Sequence, residues 1–281
     1  MSLKVKTESP RIYLHHAETP APNPKNFESH CHAYYEVIYV VRGRGSYIVE
    51  GTEYPLLPNT VLLLAPYEYH YVCPDQDCPY ERYVLNFDDA TPFDAPRTLA
   101  PFANDKSVTG VGIYFSAERV DEALRHTFES FDTLERFLEE KEYVITSEGL
   151  VLLRSMITQM LLLLGTAHAE PPTLPQRNLV SDVIAYINAN LSAPLSLEEL
   201  SRRFFVSKYH LCRAFRQYTG NTFLSYVTTK RILLAQRLIE SGEAATEVAY
   251  RVGFRDYSAF YRAYRKQTGH APAWERQGSC E

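Results

Sequence analysis

The hydrophobic pattern of the chain changes character along its length. Between residues 11 and 90, apolar residues fall in short runs rich in β-branched and aromatic side chains: Tyr35–Val41, Gly45–Glu50, Val61–Leu64 and Glu81–Phe87. Turn-forming residues separate them, at Arg42-Gly43-Arg44-Gly45, Glu50-Gly51, Leu57-Pro58-Asn59 and Ala65-Pro66. Short strands at near-regular spacing predict a sandwich or barrel. From 117 to 166 the period becomes helical. Val120, Ala123, Leu124, Thr127, Phe128 and Phe131 share one face, as do Leu150, Leu153, Ile157, Met160, Leu161 and Leu164. Ala169–Arg177 (AEPPTLPQR) is proline-rich and polar and reads as a linker. Beyond it the pattern is helical to near the end. The expected division is residues 1–168, a linker at 169–177, and a helical domain at 178–281.

The helical domain contains a repeat. Ser207–Gly220 (SKYHLCRAFRQYTG) aligns with Asp256–Gly269 (DYSAFYRAYRKQTG). Leu211 then meets Phe260, Arg213 meets Arg262, Phe215 meets Tyr264, Arg216 meets Arg265 and Gly220 meets Gly269. The segments just before also match, Leu200 with Val248, Ser201 with Ala249 and Phe204 with Val252, so the second copy has one extra residue in its turn. Each copy reads as helix–turn–helix. Ser196 and Glu199 form an S-x-x-E capping box, and Ser207 and Asp256 stand where helix caps belong. Gly220 sits where a helix ends in the left-handed conformation, and Gly253-Phe254 supplies the second turn. Leu224–Ile239 predicts one amphipathic helix between the copies.

Length and composition agree with an ordinary two-domain globular chain: 281 residues, 45% hydrophobic and 22% charged. Five cysteines in a chain of this size argue for reduced thiols rather than a disulfide framework. Met1–Pro10 lacks the apolar core of a signal peptide. The greasiest stretch, Met156–Leu164, is interrupted by Gln159 and is about half the length of a membrane span, so it predicts a buried core helix and no membrane partner. The charge is uneven. Residues 1–177 hold 15 Lys and Arg against 25 Asp and Glu, whereas 178–281 hold 14 against 9. The excess cation falls on the repeat, and the second helix of each copy is basic away from its apolar stripe: Lys208, Arg213 and Arg216, then Arg262, Arg265 and Lys266. A plain helical bundle needs no such face; a surface that neutralises phosphates does.

These residues resemble the AraC/XylS transcription regulators. The resemblance is carried by LSLEELSRRFFVSKYHLCRAFRQYTG (Leu195–Gly220), TEVAYRVGF (Thr246–Phe254) and YRKQTGHAPAWER (Tyr264–Arg276), over a third of the chain. It implies two helix–turn–helix units, held by a linker helix, entering successive major grooves of double-stranded promoter DNA. Residue by residue it implies Tyr209, Cys212 and Arg213 as base-facing in the first unit, and Tyr257, Ser258 and Arg262 in the second, with Tyr261 close by. Lys208, Arg216 and Lys266 complete the expected DNA-binding set. Cys212 departs from the polar residue more usual at its position, and Ala245 from Ile or Leu.

The N-terminal region carries His30-x-His32-x3-Glu36-x6-Gly43, then Pro66-x3-His70. This pattern resembles a cupin, a double-sheet jelly roll. Residues two apart on a strand face the same side, so His30 and His32 can converge, with Glu36 of like parity and His70 arriving from another strand. Three imidazoles and a carboxylate suit a divalent transition metal such as Zn²⁺, Mn²⁺, Fe²⁺ or Ni²⁺. The same residues, with Tyr39, equally suit an effector pocket that holds no metal, or satisfied backbone groups. Tyr34, Tyr35, Tyr39, Tyr47, Tyr67, Tyr69 and Tyr71 form a dense set, fit either to stack on a sugar or to pack across strands. Cys73 and Cys78 read as unpaired thiols. No phosphate loop, nucleophile elbow or dinucleotide fingerprint is present.

The expected fold is α+β: a cupin-like β jelly roll followed by helices, then an all-α domain with two helix–turn–helix units joined by a linker helix. The expected function is a ligand-responsive, sequence-specific, non-enzymatic regulator in the cytoplasm, activating genes for carbohydrate or other small-molecule catabolism. The expected partners are promoter DNA, a small effector such as a sugar, a second copy of the chain, and RNA polymerase for an activator. The alternative is a metal-dependent cupin enzyme with an accessory helical domain.

Overall fold

The structure is a computed structural model and describes residues 4–8, 11–103, 112–138, 145–167 and 179–272. The linker expected at 169–177 lies outside the described residues, and the Tyr264–Arg276 motif runs past them. The chain divides into two compact units, Met1–Gln176 and Arg177–Glu281.

In the first unit, the strands are β1 (Lys4–Glu8), β2 (Arg11–Thr19), β3 (Tyr35–Arg42), β4 (Gly45–Val49), β5 (Thr52–Leu56), β6 (Thr60–Leu64), β7 (His70–Pro74), β8 (Tyr80–Phe87) and β9 (Ile113–Phe115). They form a sheet in the order β1-β2-β8-β3-β6-β9 and a smaller one in the order β5-β4-β7. The sequence runs anticipated β3, β4, β6 and β8; β1, β2, β5, β7 and β9 had no clear signal. Short helices α1 (Ala95–Thr98) and α2 (Ala100–Ala103) follow β8. After β9 come α3 (Glu122–Ser130), a 3-10 helix at Phe131–Phe137, and α4 (Ser147–Thr166).

The larger sheet is covered on both sides. Even-numbered β3 and β6 residues, Ile38, Val40, Leu62 and Leu64, pack with Tyr47, Val49, Tyr54, Leu56, Val72 and Tyr80 between the sheets. Odd-numbered residues, Val37, Tyr39, Val61 and Leu63, pack with Leu85, Phe87, Phe128, Leu134, Ile157 and Leu161 beneath the helices. This double burial is why β3 reads as an unbroken apolar run rather than an alternating one. Asp121 caps α3 by accepting from the Leu124 N–H at 2.8 Å. Helix α4 is long and apolar enough by composition to cross a membrane, yet Leu153, Ile157, Met160, Leu161 and Leu164 lie in the core of this unit, as expected of a core helix.

The second unit is helical throughout its described residues: α5 (Leu179–Ala189), α6 (Leu197–Arg203), α7 (Lys208–Thr219), α8 (Phe223–Glu240), α9 (Ala245–Arg251) and α10 (Tyr257–Thr268). The caps are those the repeat implied. Ser196, Ser207 and Asp256 each accept from the backbone N–H three residues on, and α7 and α10 end on Gly220 and Gly269 at φ 70° and 84°. The intervening helix α8 is one residue longer at each end than its sequence pattern. Phe260 and Tyr264 of α10 join Ile232, Ala235 and Ile239 of α8 and Val248 and Ala249 of α9 in one core. Phe215 of α7 stands edge-on to Tyr226 of α8 at 5.3 Å.

Candidate functional site

Two sites arise from these elements, one in each unit. The first begins with a backbone pairing. The His30 N–H donates to the His70 carbonyl at 3.1 Å, and the His70 N–H donates to the His30 carbonyl at 2.9 Å. This two-residue bridge, outside the named strands, sets both side chains on one side. His32 follows in the loop before β3, and Glu36 enters from β3. Their ligand atoms all lie within 4.8 Å of one another. His30 is exposed, His32 half-buried, and Glu36 and His70 buried.

Each imidazole is held the same way. Nδ1 of His30 donates to the Glu28 carbonyl at 2.9 Å, Nδ1 of His32 to Tyr34 at 3.2 Å, and Nδ1 of His70 to Glu68 at 2.8 Å. A carbonyl only accepts, so Nδ1 carries the proton, and in the neutral ring Nε2 is left with a lone pair. The Nε2 atoms of His32 and His70 both approach the Glu36 carboxylate. His32 Nε2 lies 2.6 Å from Glu36 Oε2. His70 Nε2 lies 3.4 Å from the same oxygen, too poorly aligned for a hydrogen bond, and is a buried nitrogen with no hydrogen-bond partner. Acceptors facing acceptors need a cation between them, a shared proton or a metal ion.

The electrostatics follow. Burial pushes the Glu36 carboxyl up, but the hydrogen bond from His32 and the close approach of the His32 and His70 imidazoles outweigh it and hold the group well below the usual carboxylate range. Burial lowers His70, but Glu36 more than offsets this and raises it. His30 is lowered by burial and by the charge of His70. The donor set fits a divalent transition metal: imidazole nitrogens fixed by outer hydrogen bonds, one carboxylate, and one orphaned nitrogen.

Tyr39 does not join this group. It lies three residues beyond Glu36 on β3, so it faces the helices, where its ring stacks on Phe128 at 4.5 Å. By that parity Tyr39 stands apart from the histidine cluster with which the sequence grouped it. Conversely, the sequence reading passed over a cleft of about 460 Å³ beside the cluster, lined by Lys6, Thr7, Arg11, Ile12, Tyr13, Tyr34 and Asn86. The alternation of Arg11, Tyr13 and His15 with Ile12 and Leu14 along β2 was an available signal for a half-polar strand. Cys31, Cys73, Cys78 and Cys212 form no disulfide among the described residues.

The second site is the outer face of the helical repeat. Lys208, Tyr209, Cys212, Arg213 and Arg216 of α7 are all exposed, as are Ser258, Arg262 and Lys266 of α10. Tyr257 and Tyr261 are half-buried, with rings 6.3 Å apart. On α7, Tyr209, Cys212, Arg213 and Arg216 follow helical spacing and share one face. Lys208 also pairs with Glu198 of α6. Leu211 and Phe215 face inward. The turns hold both hairpins in shape. Gly253 lies at φ 97°, and a Cβ there would meet the Leu191 carbonyl oxygen at 2.7 Å. Arg231 of α8 donates to the carbonyls of Leu191 and Ala193 at 2.9 and 2.8 Å, bracing the segment after α5 against α8. At the equivalent turn of the first hairpin stands Phe205, at φ 55° and 95% exposed.

A two-sheet barrel with a histidine–carboxylate cluster, and a helical unit with two basic recognition hairpins, define a DNA-binding transcription regulator with its own ligand-binding domain. The chain belongs to the AraC family of such regulators. The AraC-like ligand binding domain family matches residues 11–129, and a helix-turn-helix domain family matches residues 200–277. The HTH-type transcriptional activator RhaS of Enterobacter sp. (strain 638) is 26% identical over 255 residues, covering 90% of this chain and 88% of that protein. RhaS of Escherichia coli (strain SMS-3-5 / SECEC) is 25% identical over 256 residues, with the same coverage. Among solved structures, the DNA-binding domain of AdpA in complex with a target DNA is 35% identical, covering 35% of this chain and 89% of that one, with a TM-score of 0.34.

Proposed function

We propose that this regulator activates transcription in response to a small molecule held in the barrel, and that it does so in the cytoplasm as a homodimer contacting RNA polymerase. The observation that carries the DNA reading is the pair of exposed basic faces on α7 and α10, built on two hairpins of matching register. Arg213 and Arg262 occupy equivalent positions and are the base-reading candidates, with Tyr209, Cys212, Tyr257, Ser258 and Tyr261 beside them. Lys208, Arg216 and Lys266 are the phosphate contacts. The two RhaS proteins are named activators, which supports activation here. Support for a dimer comes from α4, where Val151 and Leu162 are 59% and 54% exposed.

In the barrel, His30, His32, Glu36 and His70 would hold a first-row divalent metal. Such an ion supplies a Lewis-acid contact for an oxygen of the effector. The protein's own part is to fix the three imidazoles through the carbonyls of Glu28, Tyr34 and Glu68. The non-enzymatic reading rests on the attached DNA-binding domain, which makes the barrel a sensor.

The test uses the full chain. Footprinting on sheared genomic DNA from the source organism is expected to recover promoter-proximal sites sharing two half-sites, with affinity falling steeply as salt rises. Retardation of all duplexes alike, with no enriched sequence, would remove sequence-specific regulation.

A further inference from the structure

The turns of the two hairpins are one structure built from different residues. In the first, the Phe204 N–H donates to the Leu200 carbonyl at 2.9 Å and the Val206 N–H to the Ser201 carbonyl at 3.0 Å. In the second, the Val252 N–H donates to the Val248 carbonyl at 2.9 Å and the Phe254 N–H to the Ala249 carbonyl at 3.0 Å. The longer bond of each pair marks a Schellman motif, in which the residue just past the helix cap is left-handed and is most often glycine. Gly253 fills that place in the second hairpin at φ 97°, and Phe205 fills it in the first at φ 55°.

Phe205 carries two costs at once. Its Cβ strains a left-handed backbone, and its ring, 95% exposed, gains nothing from the core. Strain of this kind collects where a side chain is needed for contact. The residues on either side do turn inward. Phe204 stands edge-on to Tyr186 of α5 at 6.1 Å, and Val206 is half-buried. Phe205 alone of the three is displayed to a partner.

The surroundings say which partner. Phe205 lies between Arg202 and Arg203 at the end of α6 and Ser207, Lys208 and Tyr209 at the start of α7, all of them exposed. Ser207 caps α7, and the N-terminal residues of a recognition helix are the ones that meet base edges in the major groove. Helix side chains tilt toward the N-terminus, so Tyr209, 77% exposed, leans back over the turn that Phe205 heads. Three residues of chain from Phe205 to Lys208 span at most about 10 Å, less than the groove width of about 12 Å. Phe205 therefore stands at the groove edge, an apolar ring set in a cationic segment. The apolar feature that DNA shows there is the thymine 5-methyl group, which a phenylalanine can cover.

We propose that Phe205 reads a thymine through its 5-methyl group at the edge of the half-site entered by α7, an inference that rests on the DNA reading of that helix. The half-site entered by α10 has no counterpart, because Gly253 stands at the equivalent place.

The test uses the full-length chain and the duplex that it enriches from a random-sequence library. Phe205→Gly and Phe205→Asn both suit a left-handed backbone, so they remove the ring without forcing the turn, and their melting curves are expected to match or exceed that of the parent chain. Each is expected to weaken binding to the enriched duplex about tenfold, with little change on a scrambled one. Each thymine is then replaced in turn by deoxyuridine, which deletes only the 5-methyl group. The parent chain is expected to lose about fourfold at one thymine of the α7 half-site, the weight of one buried methyl-sized group, and both variants to lose nothing there. Unchanged affinity for the enriched duplex in both variants would overturn the proposal and leave the ring to a protein partner. A loss in both variants, with no thymine whose methyl effect depends on Phe205, would overturn it too, since the contact would then be to the sugar–phosphate backbone alone. A parent chain that enriches no sequence rejects the sequence-specific reading of α7 itself; enrichment together with fully binding variants rejects this inference alone.

Discussion

Glu36 and Asn86 stand directly opposite one another on β3 and β8, one closing the histidine cluster and the other opening onto the cationic cleft. Both depend on the same sheet face. That face is apolar further along, where Ile38 and Val40 pack between the sheets, and polar at this end, where the smaller sheet gives way to the loops bearing His30 and His32. Ionisable and polar groups thus collect at one end of the barrel, on strands whose opposite face is committed to the helical core.

Removing one imidazole tests the metal assignment. Protein purified without a metal-binding tag is expected to carry a first-row metal near one per chain by elemental analysis, and His32→Ala and His70→Ala are expected to lose it. For the metal-stripped protein, an ion added at a hundred times its dissociation constant is expected to raise stability by about 2.7 kcal/mol. Equal melting temperatures with and without metal, and a stoichiometry near zero, would leave only a shared proton in the cluster.

The recognition arginines are expected to part company with Lys266. Arg213→Ala and Arg262→Ala should each cost about 1–3 kcal/mol on the specific duplex and relax preference at one base position. Lys266→Ala, late in α10, should weaken specific and scrambled duplexes alike and reduce the salt slope. Competition binding on the two duplexes at several salt concentrations measures this, and equal losses on both for Arg213→Ala would take it out of base readout.

At the two hairpin turns, adding a Cβ where glycine stands and removing one where phenylalanine stands should have unlike effects. Gly253→Ala places a Cβ 2.7 Å from the Leu191 carbonyl and 2.8 Å from Arg231 Nη2, in a conformation unfavourable to any side chain. The expected cost is about 1–3 kcal/mol. Phe205→Gly relieves about 1–2 kcal/mol of left-handed strain against about 0.5–1 kcal/mol of added chain entropy. Its stability is expected to stay level or rise slightly. Urea unfolding of the isolated helical unit compares them.

Phe128 joins the sheet to the helices. It is fully buried and stacked on Tyr39, so Phe128→Ala is expected to destabilise the barrel unit by about 3–5 kcal/mol. Differential scanning calorimetry should show the barrel transition lowered and the helical unit's transition in place. A loss in both transitions would mean that the two units do not unfold independently.

The helical unit was legible because its signals are local. Caps at Ser196, Ser207 and Asp256, terminal glycines at 220 and 269, and apolar residues at helical spacing all act within a turn or two of chain. The repeat then told apart the inward Leu211 and Phe215 from the outward Arg213 and Arg216. The histidine cluster was legible in part, since the spacing of His30, His32, Glu36 and His70 marked the residue types but not their convergence. That convergence comes from a two-residue bridge between His30 and His70, forty positions apart, which no local pattern encodes.

The sequence by itself determined the order of the two domains, the paired recognition helices with their exposed basic faces, and a candidate ligand set in a β-rich region. Tertiary structure alone decided which face of β3 each residue serves. Glu36 points to the cluster and Tyr39 to the helices because a strand turns its side chains over at every step, and because α3 and α4 claim the odd-numbered face. It also decided that Lys6, Tyr13 and Asn86 line up with Glu36. Strand neighbours are chosen by pairing across the sheet, over separations such as the 73 residues between Tyr13 and Asn86, and the hydrophobic period of any one strand carries no record of which partner lies beside it.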